Sequence, residues 1–179
     1  MPNTLYNLDS ANLFIGDDDP SESQFLALKT IKIPGMEEQT KDHMGGGAVA
    51  SIKLGMRSFT IHPLTFSLEG FNPTVMPRFM PAGAARIKYT VRGNVRDIRT
   101  HDDIPVKAII EGRMTKSEIS DFKKDDGVST DYDISEILFY HLYFGTQEKI
   151  YFDYFAGPNG LRIDGVSTLS GVARNLGLA

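Results

Sequence analysis

Four histidines, His43, His62, His101 and His141, are the side chains in this chain best suited to proton transfer or metal ligation. None stands at a spacing that would put two imidazoles on one metal, because neither HxxxH nor HExxH occurs. His101-Asp102-Asp103 comes nearest to a ligand cluster, and its polar surroundings read as a solvated loop. Nucleophile motifs are missing too: there is no GxSxG, and Ser167, two residues after Gly165, reads as a helix cap. The absence of cysteine excludes disulfides, thiol catalysis and thiolate metal sites. Gly45, Gly46 and Gly47 are not followed by GK[ST], so they do not form a phosphate loop, and GxGxxG is absent. Carboxylates are plentiful, but a general acid also needs a desolvating pocket. These residues predict no catalytic site, no metal and no cofactor, and point to a structural protein.

The elements that position the chain's side chains are strands. The stretch from Asp133 to Phe155 dominates, with Ile134 to Phe144 and Ile150 to Phe155 as two aromatic and β-branched runs around the turn Gly145 to Lys149. Such runs predict a hairpin of antiparallel strands. The first is apolar on both faces: Leu138, Tyr140, Leu142 and Phe144 alternate with Ile137, Phe139, His141 and Tyr143. A strand of that kind needs cover on both sides, from its own chain or from a second copy.

Further strands are predicted over Phe25 to Ile33 (with a bulge or twist), Phe59 to Leu68 (with Pro63 at an edge or bulge), Ala85 to Val91 and Val106 to Thr115. The segment 1–20 reads as an arm whose Leu13, Phe14 and Ile15 dock onto something. An extended hairpin arm is expected at about 38–58, since its glycines disfavour a regular element. Residues 116–131 read as a solvated charged connector. Asn72-Pro73 predicts a short helix over TVMPRFM. Ser167 predicts a second over TLSGVARNL, closed by Asn175 and Gly177. On the Ala85 strand, Arg86, Lys88 and Arg92 share a face. Glu111 and Arg113 on the next strand are expected to share the polar side, with Glu111 offsetting the cations by cross-strand pairing.

Composition sets the class. Apolar content is 41% and charged content 23%, as in soluble globular proteins. No apolar run reaches the roughly 20 residues that span a bilayer, so no membrane insertion is expected. The opening MPNTLYNLDSANLF does not read as a secretory signal, which predicts a cytosolic site of synthesis. A net charge of −4 and a pI near 5.5 argue against a dedicated nucleic-acid surface.

Three blocks carry a resemblance: TLYNLDSANLFIG, LKTIKIPGMEEQTKDHMGGGAVASIKLGM, and ILFYHLYFGTQEKIYFDYFAGPNGLRIDGVSTLSGVARNLGL. In order, over most of the chain, they resemble the major tail tube protein of contractile-tailed bacteriophages, a family shared with R-type pyocin tubes. Asp164-Gly165-Val166 followed by Arg174 to Leu178 is the most specific part. Residues 17–24 are longer and more acidic than the family pattern, a third glycine replaces a methionine, and NPTVMPRFM holds two prolines.

The resemblance implies a single mainly β domain over 1–179 with one or two short helices, built as two packed antiparallel sheets or a β-barrel. It implies a homo-hexamer stacked into a tube that conducts DNA without binding it specifically. The implied partners are the contractile sheath, baseplate or initiator, tape-measure and tube-terminator proteins, in a virion tail assembled in the host cytoplasm. The arm around Lys41, Asp42, His43, Met44, Gly45, Gly46 and Gly47 becomes the inter-ring contact. Leu13, Phe14, Ile137, Phe139, Leu142 and Phe144 become subunit packing or assembly residues. Arg86, Lys88, Arg92, Glu111 and Arg113 become a lumen or outer face. The inner tube of a headless injection particle or secretion system is the alternative, and a ligand-binding β-sandwich a remote one.

Overall fold

A computed structural model describes residues 4–16, 18–81, 83, 85–124 and 127–178. Eleven strands are described in chain order: β1 (Tyr6–Ile15), β2 (Leu28–Lys32), β3 (Met36–His43), β4 (Ile52–Ile61), β5 (Leu64–Glu69), β6 (Ile87–Asp97), β7 (Asp103–Ile119), β8 (Ser129–Phe144), β9 (Gln147–Asp153), β10 (Leu161–Ile163) and β11 (Val166–Ser167). One α-helix, α1 (Ser170–Asn175), and short 3₁₀ turns complete the described structure. The fold is mainly β, in two antiparallel sheets, and the described strands do not close into a barrel.

The large sheet runs β1-β6-β7-β8-β9-β10-β11, and β2 and β5 branch from it through β8. The branch follows from a change of partner along β8. Leu64 to Glu69 of β5 pair with Ile134 to Ser129, whereas Gln147 to Asp153 of β9 pair with Phe144 to Phe139. Between the two halves Glu136 sits at φ 51°, and the β7 register slips between Glu111 and Arg113. Gly112 lies inside that bulge, where a Cβ would come within 2.9 Å of the Ser135 carbonyl oxygen, so β7 and β8 approach more closely than a larger residue permits. The bulge also changes the parity of the strand. Ile137 packs against the core beside Gly112, not on the side of Phe139 as strict alternation predicts.

The core lies where β2 and β5 fold back over β1, β6, β7 and β8. Leu13, Ile15, Leu64, Phe66, Leu68, Tyr89, Ile110, Met114, Tyr132, Ile134 and Tyr140 are almost wholly buried. Phe66 stacks on Tyr132 at 5.0 Å between ring centroids and reaches Tyr89 at 6.5 Å. Burial of each such side chain is worth about 1.5–3 kcal/mol.

Several sequence expectations change. Phe59 to Leu68 is not one strand: it divides at His62-Pro63 between two sheets, because Pro63 donates no hydrogen bond and the His62 amide turns back to the Gly35 carbonyl at 2.8 Å. The charged connector is shorter than expected. β7 runs on to Ile119 and β8 begins at Ser129, with Lys116 opposite Asp133 and Glu118 opposite Asp131. The Asp125-Asp126 pair read there lies outside the described residues. Asn72 does cap the following turn, its side chain accepting from the Thr74 and Val75 amides at 3.2 Å, but only Met76–Arg78 form a 3₁₀ turn. Ser167 caps nothing: it lies in β11 opposite Arg162, and α1 starts three residues later. Gly177, at φ 70°, closes α1, with the Leu178 amide reaching the Ala173 carbonyl and the Gly177 amide the Arg174 carbonyl.

Candidate assembly surfaces

The register gives the large sheet two chemically different faces. Inward, Tyr89, Ile110, Tyr140 and Phe152 form one cross-strand row. Outward, the next row is Thr90, Ile109, His141, Tyr151 and Arg162. Rows on either side of it are Lys88, Glu111, Phe139 and Asp153, and Arg92, Lys107, Tyr143 and Glu148. The apolar excess on the second face of β8 is therefore aromatic and half-buried, set among charges.

Those charges close on one another. Glu148 accepts from Arg162 Nε at 2.8 Å and Nη2 at 2.9 Å, and from His141 Nε2 at 2.8 Å. Tyr143 Oη lies 3.2 Å from His141 Nδ1, and the Arg162 guanidinium sits 3.7 Å above the Tyr151 ring. The Arg162 hydrogen bonds, and then the one from His141, hold the Glu148 carboxyl at about 2. Asp18 bridges Arg92 and Lys107 from the loop after β1 and is likewise held at about 2, first by Arg92. Arg86 pairs with Glu136 at 2.7 Å. Lys88 and Glu111 stand directly opposite, while the ion pairs of this face run through Asp18, Glu136 and Glu148. Arg86, Lys88, Arg92 and Glu111 are exposed, and Arg113 is half-buried opposite Ser135.

The inner face extends beyond the cover that β2 and β5 provide. Near its far end Tyr6 meets Phe144 edge to face at 5.3 Å, and with Val106 and Leu142 they line an open depression of about 460 Å³. Leu142 and Phe144 are half-buried, whereas Leu13 and Phe14 are buried within the subunit itself, on a β1 paired along β6. Phe139 lies on the outward face, 5.7 Å from Tyr151.

The β3–β4 hairpin is the second sheet. At its root Phe59 packs edge to face on Phe152 at 5.4 Å, and Met36 joins the edge of the core. A groove of about 750 Å³ opens between this root, β9, β10 and α1. Further out, Thr40 to His43 pair with Gly55 to Ile52. Ile52, Leu54 and Met56 alternate with Lys53 and Gly55 and are 55%, 43% and 51% exposed. Lys41, Asp42, His43 and Met44 are exposed, as are Gly46 and Gly47, and Gly45 is half-exposed in the tip turn.

Sequence reasoning passed over Asp18, Glu148, Arg162 and the row Ile52, Leu54, Met56. The period-2 alternation of SIKLGMRS held the signal for the row; the ion pairs join residues up to 89 positions apart and left none. Among the described residues no group of three His, Asp or Glu side chains is placed to hold a metal, and no helix is long and apolar enough to cross a membrane.

Residues 6–177 match the family model of the phage tail tube protein FII. No protein of curated function matches the sequence. Among solved structures, the chain is similar to one in the cryo-EM structure of the anti-feeding prophage (AFP) baseplate, 6-fold symmetrised. The TM-score is 0.54 at 10% identity, covering 76% of this chain and 91% of that one. At that identity the likeness shows the fold alone. Hcp1 from Salmonella typhimurium aligns with a TM-score of 0.49 at 10% identity over 82% of this chain and 97% of that one, too weak a likeness to carry an argument.

Proposed function

The chain belongs to the phage tail tube protein FII family and is a structural tube protein of a contractile tail or a related injection system, and from that premise we propose that it forms hexameric rings stacked into the inner tube. The tube lies inside the contractile sheath, grows from a baseplate or initiator complex, is bounded by tape-measure and terminator proteins, and conducts DNA during ejection. It is assembled in the host cytoplasm and has no catalytic role. The similar AFP chain sits in a sixfold-symmetrised assembly, which accords with six copies.

The observation that carries this reading is the hairpin. A two-stranded sheet is marginal on its own, and here the outer half displays Ile52, Leu54 and Met56 to solvent. A contact from a neighbouring copy would supply the missing cover. The segment from Lys41 to Gly47 is then the inter-ring contact, Leu142, Phe144 and Phe139 the contacts within the ring, and 1–179 a single domain with the β3–β4 hairpin as its arm, since the expected N-terminal arm is largely β1 of the large sheet.

Negative-stain microscopy of the purified protein, with a variant lacking residues 43–50, tests the proposal. Tubes or stacked rings are expected for the intact chain. The variant should fold with nearly unchanged thermal stability and fail to stack. Normal tubes from the shortened chain would remove the hairpin from the inter-ring contact.

A further inference from the structure

We propose that Asp18 is a built-in mask: its carboxylate occupies Arg92 and Lys107, a pair of cations that would otherwise bind the phosphates of a nucleic-acid backbone. The register sets Arg92 directly opposite Lys107 on β6 and β7. Like charges facing each other across two strands are unfavourable, and two cations side by side on an open sheet face are what a phosphodiester takes up. The carboxylate that resolves the conflict comes from outside the sheet. Arg92 Nε donates to Asp18 Oδ1 at 3.0 Å, Arg92 Nη2 donates to Oδ2, and Lys107 Nζ donates to the same Oδ2 at 3.0 Å.

The loop that carries Asp18 is braced at both ends. The Gly16 amide bonds the Lys88 carbonyl at 2.8 Å on one side, and Ser23 bridges to Phe14 while the Gln24 amide bonds the Leu13 carbonyl at 2.8 Å on the other. Arg78 ties these two flanks together, donating to the Ile15 carbonyl and pairing with Glu22 at 2.7 Å. Asp18 is thus delivered to one place, and a carboxyl held at about 2 stays ionised under any physiological condition. Of the other cations of this face, Arg162 is closed on Glu148 and Arg86 on Glu136, each within the sheet, and Lys88 stands opposite Glu111. Asp18 is different in holding two cations from a loop, so one substitution opens both.

This deepens the reading of the chain as a DNA conduit, in which a gripping wall would slow passage. It depends on that reading for its purpose alone, since the binding measurement stands whether or not tubes form. Fluorescence anisotropy of a labelled DNA duplex at about 50 mM salt, where phosphate contacts are strong, compares full-length wild type, Asp18→Asn and Asp18→Asn/Arg92→Ala/Lys107→Ala. Asp18→Asn should bind at least about tenfold tighter than wild type, and that gain should fall about tenfold on raising salt to 200 mM, as expected for two added phosphate contacts. The triple variant should return to the wild-type level. Asp18→Ser under the same criteria replaces Asp18→Asn if the latter does not melt cooperatively. A folded Asp18 variant that binds no tighter than wild type overturns the proposal, as does a gain that survives in the triple variant. Microscopy of the same preparations reports on tube formation separately, so failure of the mask and failure of the tube reading are told apart.

Discussion

The β3–β4 hairpin and the β6–β7–β8 sheet are written with the same two-residue alternation, yet they end in opposite conditions. In the sheet, Tyr89, Ile110 and Tyr140 meet Leu64, Phe66 and Leu68 of a second layer and lose nearly all contact with water. In the hairpin, Ile52, Leu54 and Met56 find no second layer and stay about half exposed. Alternation states that a face will be apolar; it does not state what covers it. The sheet is stabilised by its own chain, whereas the outer hairpin would be ordered by a neighbour, so substitutions in the two regions should separate folding from assembly.

The largest expected effect lies in the sheet. Tyr140→Ala removes a ring that is 1% exposed at the junction of the layers and should cost about 3–5 kcal/mol. Equilibrium urea unfolding checks this, and a loss below about 1 kcal/mol would mean that the core does not depend on that row. A smaller effect belongs to the outward face. Glu148 has a carboxyl lowered from 4.5 to about 2, so its stabilisation is complete above about pH 4.5 and is lost as the pH falls toward 2. Glu148→Gln should therefore be less stable than wild type at pH 7 and converge with it near pH 2, in unfolding curves taken across that window. A constant difference between the two curves would assign the effect to packing instead of charge. The smallest change in stability is expected in the hairpin. Ile52→Ser, Leu54→Ser and Met56→Ser together remove exposed side chains and should shift unfolding by no more than about 0.5 kcal/mol each, while stacking in sedimentation runs and on grids is lost. Stacking that survives all three would break the contrast between the two regions.

Much of the fold was legible because strands announce themselves locally. The Asp133 to Phe155 hairpin, the strand beginning near Ala85 and the closing Gly177 each follow from residues within one or two turns of chain. The errors fall where a partner far away decided the outcome. Lys116 to Ile119 looked like a solvated connector because its charges are dense, but the segment extends β7 along β8, where Lys116 faces Asp133 and also pairs with Glu118, which itself stands opposite Asp131. Ser167 looked like a cap because it precedes a helical pattern, but the Thr168 amide reaches the Leu161 carbonyl at 3.3 Å and the chain stays extended.

The sequence by itself determined the class of protein. It ruled out thiol chemistry through composition and the named catalytic motifs through their absence, and its ordered motifs resembled the tail tube family that residues 6–177 match. It also determined that β8 would carry apolar residues on both faces, since alternation is a property of the strand alone. Only the tertiary structure decided what each face became. Whether Ile137 and Phe139 share a side depends on the irregularity around Glu136, where Gly112 lets β7 approach Ser135 closely. Whether Arg92 is a free cation depends on Asp18, 74 residues away, and on the loop that delivers it. Pattern is read along the chain, but burial and charge pairing are sums over neighbours in space, and those neighbours are assigned only when the sheets close on one another.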